Sequence, residues 1–314
     1  MSTDRQRPYK TVDEVIALLR ARGRRSDVPL AERRVVMDQN TKVFPVPAGI
    51  AIEAADLGGL KAEWMLPGGA SSSSTTGPVL LYFHGGGYVI GSALSHRHIS
   101  GELARLTNAR VLSVEYALAP ERPFPAAVTD GVKAYRWLLD RGHAPNAIAF
   151  GGDSAGGGLT AATMIAARDQ ALPMPAGAIL ISPWSDLTCD TETYVTREAS
   201  DPMIAPAGIR EMARLYLAGA DPRDPLASPN FADLAGLPPL LIHVGSEEVL
   251  LHDARILAER ARAAGVDVRL EVWDRMFHVW HAFYQMLEEG DAAMRKVALF
   301  LGERFKEAGA KAKA

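Results

Sequence analysis

The chain has 314 residues, 48% of them hydrophobic and 23% charged, with a net charge of -3. That is material for one large soluble α/β domain, and without a basic excess neither nucleic acid nor an anionic membrane surface is an expected partner. A single cysteine, Cys189, excludes an internal disulfide and paired-cysteine metal sites.

No run approaches the roughly eighteen apolar residues of a membrane span, so no membrane insertion is expected. The opening MSTDRQRPYK lacks an apolar leader run, and the cytoplasm is the expected location. The segment from Pro8 to about Thr41 reads as helical and rich in arginine. GGASSSSTTG, residues 68–77, has the composition of a solvated loop. Short β-rich runs then alternate with helical patterns. Strands are predicted at 78–84, 110–116, 147–152, 177–182, 239–245 and 267–273. Helices are predicted near 97–107, 126–141, 155–169, 252–264 and 291–307. Runs of Val, Ile and Leu separated by helices predict a mostly parallel sheet covered on both faces. The stretch from Trp184 to about Pro229 breaks the alternation, with one short helical run near Ile209–Ala218. Insertions of this kind often cover a site at the C-terminal ends of strands.

The densest motif is FGGDSAGGG, residues 150–158. Gly152-Asp153-Ser154-Ala155-Gly156 fits G-x-S-x-G between a predicted strand and a predicted helix, the context of a nucleophile elbow. Such a serine occupies a strained turn that projects its hydroxyl clear of the sheet. The small flanking residues let strand and helix pass closely, and the helix N-terminus supplies a free N–H. The letters GDSAGG also occur in the serine loop of trypsin-like proteases, but no all-β pattern flanks them here.

HGGG, residues 84–87, follows the first of the predicted strands. Acyl transfer needs N–H donors aimed where charge develops on the carbonyl oxygen, and a glycine run lets amides approach without Cβ interference. Gly85 and Gly86 N–H are assigned as oxyanion donors, with Ala155 N–H as the third. His84 reads as a structural hydrogen-bonding group. Neither glycine loop matches a dinucleotide or nucleoside-triphosphate motif.

The serine needs a base, and the base needs an orienting carboxylate. The chain order in this fold is Ser, Asp/Glu, His. His243 lies inside a predicted strand and His252 at a helix start, whereas His278 follows the last strand and is assigned over His281. The acid belongs after the strand 239–245, where Glu247, Glu248 and Asp253 are the candidates.

HGGGY (84–88), YALAPERPFPAA (116–127), GGDSAGGGL (151–159) and GSEEVLLHDA with WDRMFHVWHAF together resemble the bacterial hormone-sensitive-lipase-type (family IV) esterases of the α/β-hydrolase superfamily. The resemblance runs from about residue 35 to the C-terminus. It implies an α/β-hydrolase fold with a helical cap, residues 1–45 and 186–226 forming the cap and 46–185 and 227–314 the catalytic core. The family's aspartate corresponds to Glu247, which becomes the assigned acid, with Asp253 next. Glu121 is implied to anchor the active-site floor. Tyr88, Asp153, Trp184, Met203, Ile204, Leu215 and Val279 are assigned to the substrate pocket. A preference for short to medium acyl chains, a homodimer, and no cofactor or metal are implied as well.

The activity expected is that of a serine carboxylesterase acting on a small-molecule ester, with Ser154, His278 and Glu247 as the triad. A lactone or carbamate hydrolase would use the same triad. A non-catalytic small-molecule receptor would keep the fold without turnover, and a peptidase is the weaker reading, with no propeller or other large gating domain in the sequence, small amides staying open as substrates.

Overall fold

The computed structural model describes residues 9–24 and 28–311. Pro8, where the predicted N-terminal helical segment begins, lies outside them. The chain starts with α1 (Val12–Arg22), α2 (Leu30–Asp38) and the short α3 (Asn40–Val43). The strands are β1 (Ile50–Asp56), β2 (Lys61–Pro67), β3 (Val79–Phe83), β4 (Arg110–Val114), β5 (Ile148–Asp153), β6 (Ala178–Ile181), β7 (Leu240–Gly245) and β8 (Val268–Trp273). The further helices are α4 (Arg97–Thr107), α5 (Ala126–Asp140), α6 (Ala155–Asp169), α7 (Thr193–Thr196), α8 (Pro206–Leu217), α9 (Leu251–Ala263) and α10 (Glu288–Lys311).

The strands form one sheet in the order β1-β2-β4-β3-β5-β6-β7-β8. β4 through β8 in that order run parallel, and β1 and β2 are antiparallel at one edge. All five residues of β3 are buried, as expected of a strand covered on both faces. Its alternation divides two cores. Val79, Leu81 and Phe83 pack with residues of α5, α6 and α9, while Leu80 and Tyr82 pack with Ile99 and Leu103 of α4 and Met294, Val297 and Leu301 of α10.

β1 and β2 are absent from the strands predicted above. β1 has no buried residue, so its sequence IAIEAAD shows no apolar alternation for a pattern to register. A third, smaller cluster docks α1: Val12 and Val15 pack with Met276, Phe277 and Trp280 from the loop after β8.

The pairing register positions the site. Phe83 lies opposite Gly152, Gly152 opposite Leu180, and Leu180 opposite Ile242. The strand ends are therefore level, and the loops that follow them meet along one edge of the sheet.

Candidate active site

Ser154 occupies the turn from β5 into α6 with φ 55° and ψ -122°. An L-residue holds that left-handed backbone only where its surroundings enforce it. The Ser154 N–H donates to the Ile181 carbonyl at 2.8 Å, and its own carbonyl accepts from Gly158 N–H at 3.1 Å and Trp184 N–H at 2.9 Å. Two glycines make the bend sterically possible. A Cβ on Gly156 would collide with the carbonyl oxygens of Phe83 and His84, and one on Gly152 with that of Gly156.

His278 comes from the loop after β8. Its Nε2 lies 2.9 Å from Ser154 Oγ, and its Nδ1 lies 2.8 Å from Glu248 Oε2. All three residues are buried. A carboxylate on Nδ1 fixes the proton there and leaves Nε2 as the acceptor for the serine hydroxyl. Burial pushes the imidazole down, but the hydrogen bond and charge of Glu248, and then Asp201 and Asp153, outweigh it. His278 is held above the ordinary histidine value.

Glu248 is itself fastened. Its Oε1 accepts from Gly245 N–H at 2.6 Å and from the Ser182 hydroxyl at 2.7 Å. The same Ser182 oxygen accepts Val279 N–H at 3.1 Å, so one hydroxyl joins the carboxylate to the histidine loop. Asp201 adds a second brace by accepting Met203, Ile204 and Val249 N–H at 2.8, 2.9 and 3.0 Å.

The carboxylate on His278 is thus Glu248 and not the assigned Glu247. The two adjacent side chains leave the turn on different sides. Glu247 is partly exposed, takes a hydrogen bond from Ser246 Oγ at 2.9 Å and lies 3.9 Å from Arg197. Asp253 is buried near Thr191 and Tyr194 at 3.4 Å each, remote from the imidazole's partners. His281 is bonded to His243 at 3.0 Å within the core.

The glycine loop also departs from its assignment. The Gly85 N–H donates to Asp153 Oδ1 at 3.2 Å, so it is already committed. Among the described residues, the N–H groups of Gly86, Gly87 and Ala155 have no internal acceptor, and Gly86 and Gly87 line the cavity. Asp153 also accepts from Tyr82 Oη at 2.7 Å and lies 3.4 Å from His96 Nε2. Burial pushes Asp153 up, but the charge and hydrogen bond of His96 outweigh it and the carboxyl sits below its ordinary value. His84 bonds the Gly85 carbonyl through Nδ1 at 2.8 Å and stacks on Tyr116 at 4.3 Å. Burial pushes it down to about 3, which keeps it neutral.

A cavity of about 290 Å³ opens onto Ser154. Of the assigned pocket residues, Asp153, Trp184, Met203, Ile204 and Val279 line it. Tyr88 and Leu215 do not. Tyr88 is buried against Tyr216, ring centroids 3.9 Å apart, and Leu215 packs on the main core. The outer wall includes residues that sequence reasoning missed: Arg33, Val36, Met37 and Asn40 of α2 and α3. Their spacing of three, four and seven marks one helical face. Glu121 does not sit on the cavity floor. It holds Arg34 of α2 through two hydrogen bonds of 2.7 and 2.8 Å.

Residues 80–282 match the family model described as alpha/beta hydrolase fold. An acetyl-hydrolase of Streptomyces hygroscopicus is 47% identical over 272 residues, 86% of this chain and 88% of the relative. A solved esterase/lipase from an uncultured bacterium is 49% identical with a TM-score of 0.88, the match covering 94% of this chain and 98% of that one. A solved esterase from the bacterial hormone-sensitive lipase family is 44% identical, also with a TM-score of 0.88 and the same coverage of both chains. The chain belongs to the α/β-hydrolase fold family, among the bacterial hormone-sensitive-lipase-type proteins.

Proposed function

We propose that the protein is a serine carboxylesterase that works through an acyl-enzyme on Ser154. The observation that carries the reading is the unbroken relay Ser154 Oγ, His278 Nε2, His278 Nδ1, Glu248 Oε2, with links of 2.9 and 2.8 Å. Ser154 Oγ attacks the ester carbonyl carbon as its proton passes to His278 Nε2. The carbonyl oxygen becomes an oxyanion facing the N–H groups of Gly86, Gly87 and Ala155, each such donor typically worth about 10²–10³ in rate. Glu248 stabilises the imidazolium. Collapse breaks the bond to the alcohol oxygen, which takes the proton from His278. Water then attacks the acyl-enzyme, giving its proton to His278, and the carboxylic acid leaves as Ser154 regains its hydrogen.

Residues 1–45 and 186–226 are proposed as a cap over the core formed by 46–185 and 227–314. The cavity walls contributed by α2 and α8 support this. The mostly apolar lining supports short to medium acyl chains. Homodimerisation is proposed through the edge strand β8 and α10, whose Val272 and Leu299 are exposed. A cytoplasmic location completes the reading; among the described residues no helix is long and apolar enough to cross a membrane.

The test is hydrolysis of p-nitrophenyl butyrate by wild type and Ser154→Ala, with labelling by a phosphonate ester. Wild type turns over and is labelled at Ser154. Full activity in the variant overturns the reading.

A further inference from the structure

Two adjacent arginines on α2 differ in their partners. Arg34 donates to the carbonyls of Val89 and Ala119 at 2.8 and 2.9 Å and to both carboxylate oxygens of Glu121. Arg33 lines the cavity and has, among the described residues, no hydrogen bond, ion pair or ring contact, although it is half-buried. Arg24, also on the cavity wall, is by contrast anchored, its Nη2 donating to the carbonyls of Glu198 and Asp201 at 2.6 and 2.5 Å. The one acidic residue on the wall, Asp153, is occupied by Tyr82, Gly85 and His96.

We propose that Arg33 is an anion subsite, and that the substrate is an ester carrying a carboxylate at the far end of an apolar spacer. The inference rests on the serine-esterase reading and names its substrate class. A guanidinium half withdrawn from water without a partner loses part of its hydration, and an arriving carboxylate offsets that loss with two parallel N–H···O bonds. Burial already pushes the Arg33 guanidinium below its ordinary value, in the absence of any anion to hold it up. The spacer follows from the apolar residues that line the same cavity as the arginine and the serine. Val36 and Met37 lie beside Arg33 on the same helical face, and Ile204, Ile209 and Met212 line the cavity with them. A substrate that engages both Ser154 and Arg33 shares the cavity with these apolar side chains and places its far end on a cation.

The carboxylate belongs to either the acyl or the alcohol part of the ester, and two assay arms separate these. The acyl arm compares 4-nitrophenyl hydrogen adipate with 4-nitrophenyl hexanoate. The alcohol arm compares 6-butyryloxyhexanoate with hexyl butyrate, followed by pH-stat. In each arm the quantity read is the ratio of kcat/KM for the anionic ester to that for its neutral partner. In one arm Arg33→Met lowers that ratio by about 10- to 100-fold, the range of a charged hydrogen-bonded contact, and Arg33→Lys restores part of it. For wild type the ratio also falls as salt rises from about 0.05 to about 0.5 M, a measurement independent of how the variants fold. A ratio unmoved by both substitution and salt in both arms overturns the subsite. Failure of wild type to hydrolyse even the neutral esters overturns the esterase reading instead.

Discussion

Helices α6 and α2 both serve the cavity around Ser154, and they are held in contrasting ways. Every residue of α6 from Ala155 to Ala167 is buried, whereas α2 has no buried residue. The serine end is fixed by backbone hydrogen bonds, close glycine contacts and a carboxylate with three donors. The α2 side is tied mainly through arginine side chains: Arg34 to Val89, Ala119 and Glu121, and, in the preceding segment, Arg24 to Glu198 and Asp201. Segments with few buried contacts open at lower free energy than core elements. The serine is thus carried by the densely buried element, and part of the cavity wall by the one that opens at lower free energy.

The sharpest way to break this contrast is at the carboxylate. Glu248→Gln is expected to lower kcat by about 10⁴-fold, because His278 loses the group that sets its tautomer and stabilises its charged form. Glu247→Gln, one residue away, changes kcat by less than about threefold, as is usual for a partly exposed side chain. The pH profile carries a sign. The neutral imidazole is the active form, so kcat/KM in wild type falls as pH drops through a value above that of an ordinary histidine, about 6.5. Removing the carboxylate moves that acid limb to lower pH. A limb that stays in place shows that Glu248 does not govern His278.

Next in size is Gly156→Ala. Its methyl would meet the Phe83 and His84 carbonyls, with an expected loss of about 1–3 kcal/mol in urea unfolding. An unchanged midpoint shows that the elbow tolerates a side chain there. Ser182→Ala removes one donor from Glu248 and the acceptor for Val279 N–H. About tenfold in kcat is expected, the range of one hydrogen bond to a charged group, with KM little altered. A change confined to KM argues against a positioning role. The smallest effect is expected from Arg34→Ala on the α2 side. Its carboxylate partner Glu121 is exposed and its remaining bonds go to two backbone carbonyls, so stability drops by about 1 kcal/mol, while hydrogen exchange in α2 accelerates. Unchanged exchange in α2 removes the distinction between the two regions.

The parts legible in the sequence are those where one physical constraint dominates. Strands buried along their whole length are rich in apolar residues, so β3 to β7 are read close to their true limits; β8, of which only Val268 is buried, shows instead the alternation of VRLEV. A serine set between glycines at a strand–helix junction marks a tight elbow, because larger neighbours would hold strand and helix apart. The edge strand β1 has no such signature, because Ile50–Asp56 buries nothing fully. The choice between Glu247 and Glu248 depends on which side of a turn each side chain leaves, and two identical letters in succession cannot express that. Tyr88 reads as a pocket aromatic next to the glycine loop. Its own positive φ of 62° and the face-on stack with Tyr216 turn it into the core.

Asp153 bears on how a glycine run should be interpreted. By capturing the first amide of HGGG, it advances by one position the amides still available to a ligand. A buried anion elsewhere in the chain thus sets the frame in which three identical residues acquire different duties. Replacing it with a neutral side chain would leave the glycines in place and erase what tells them apart.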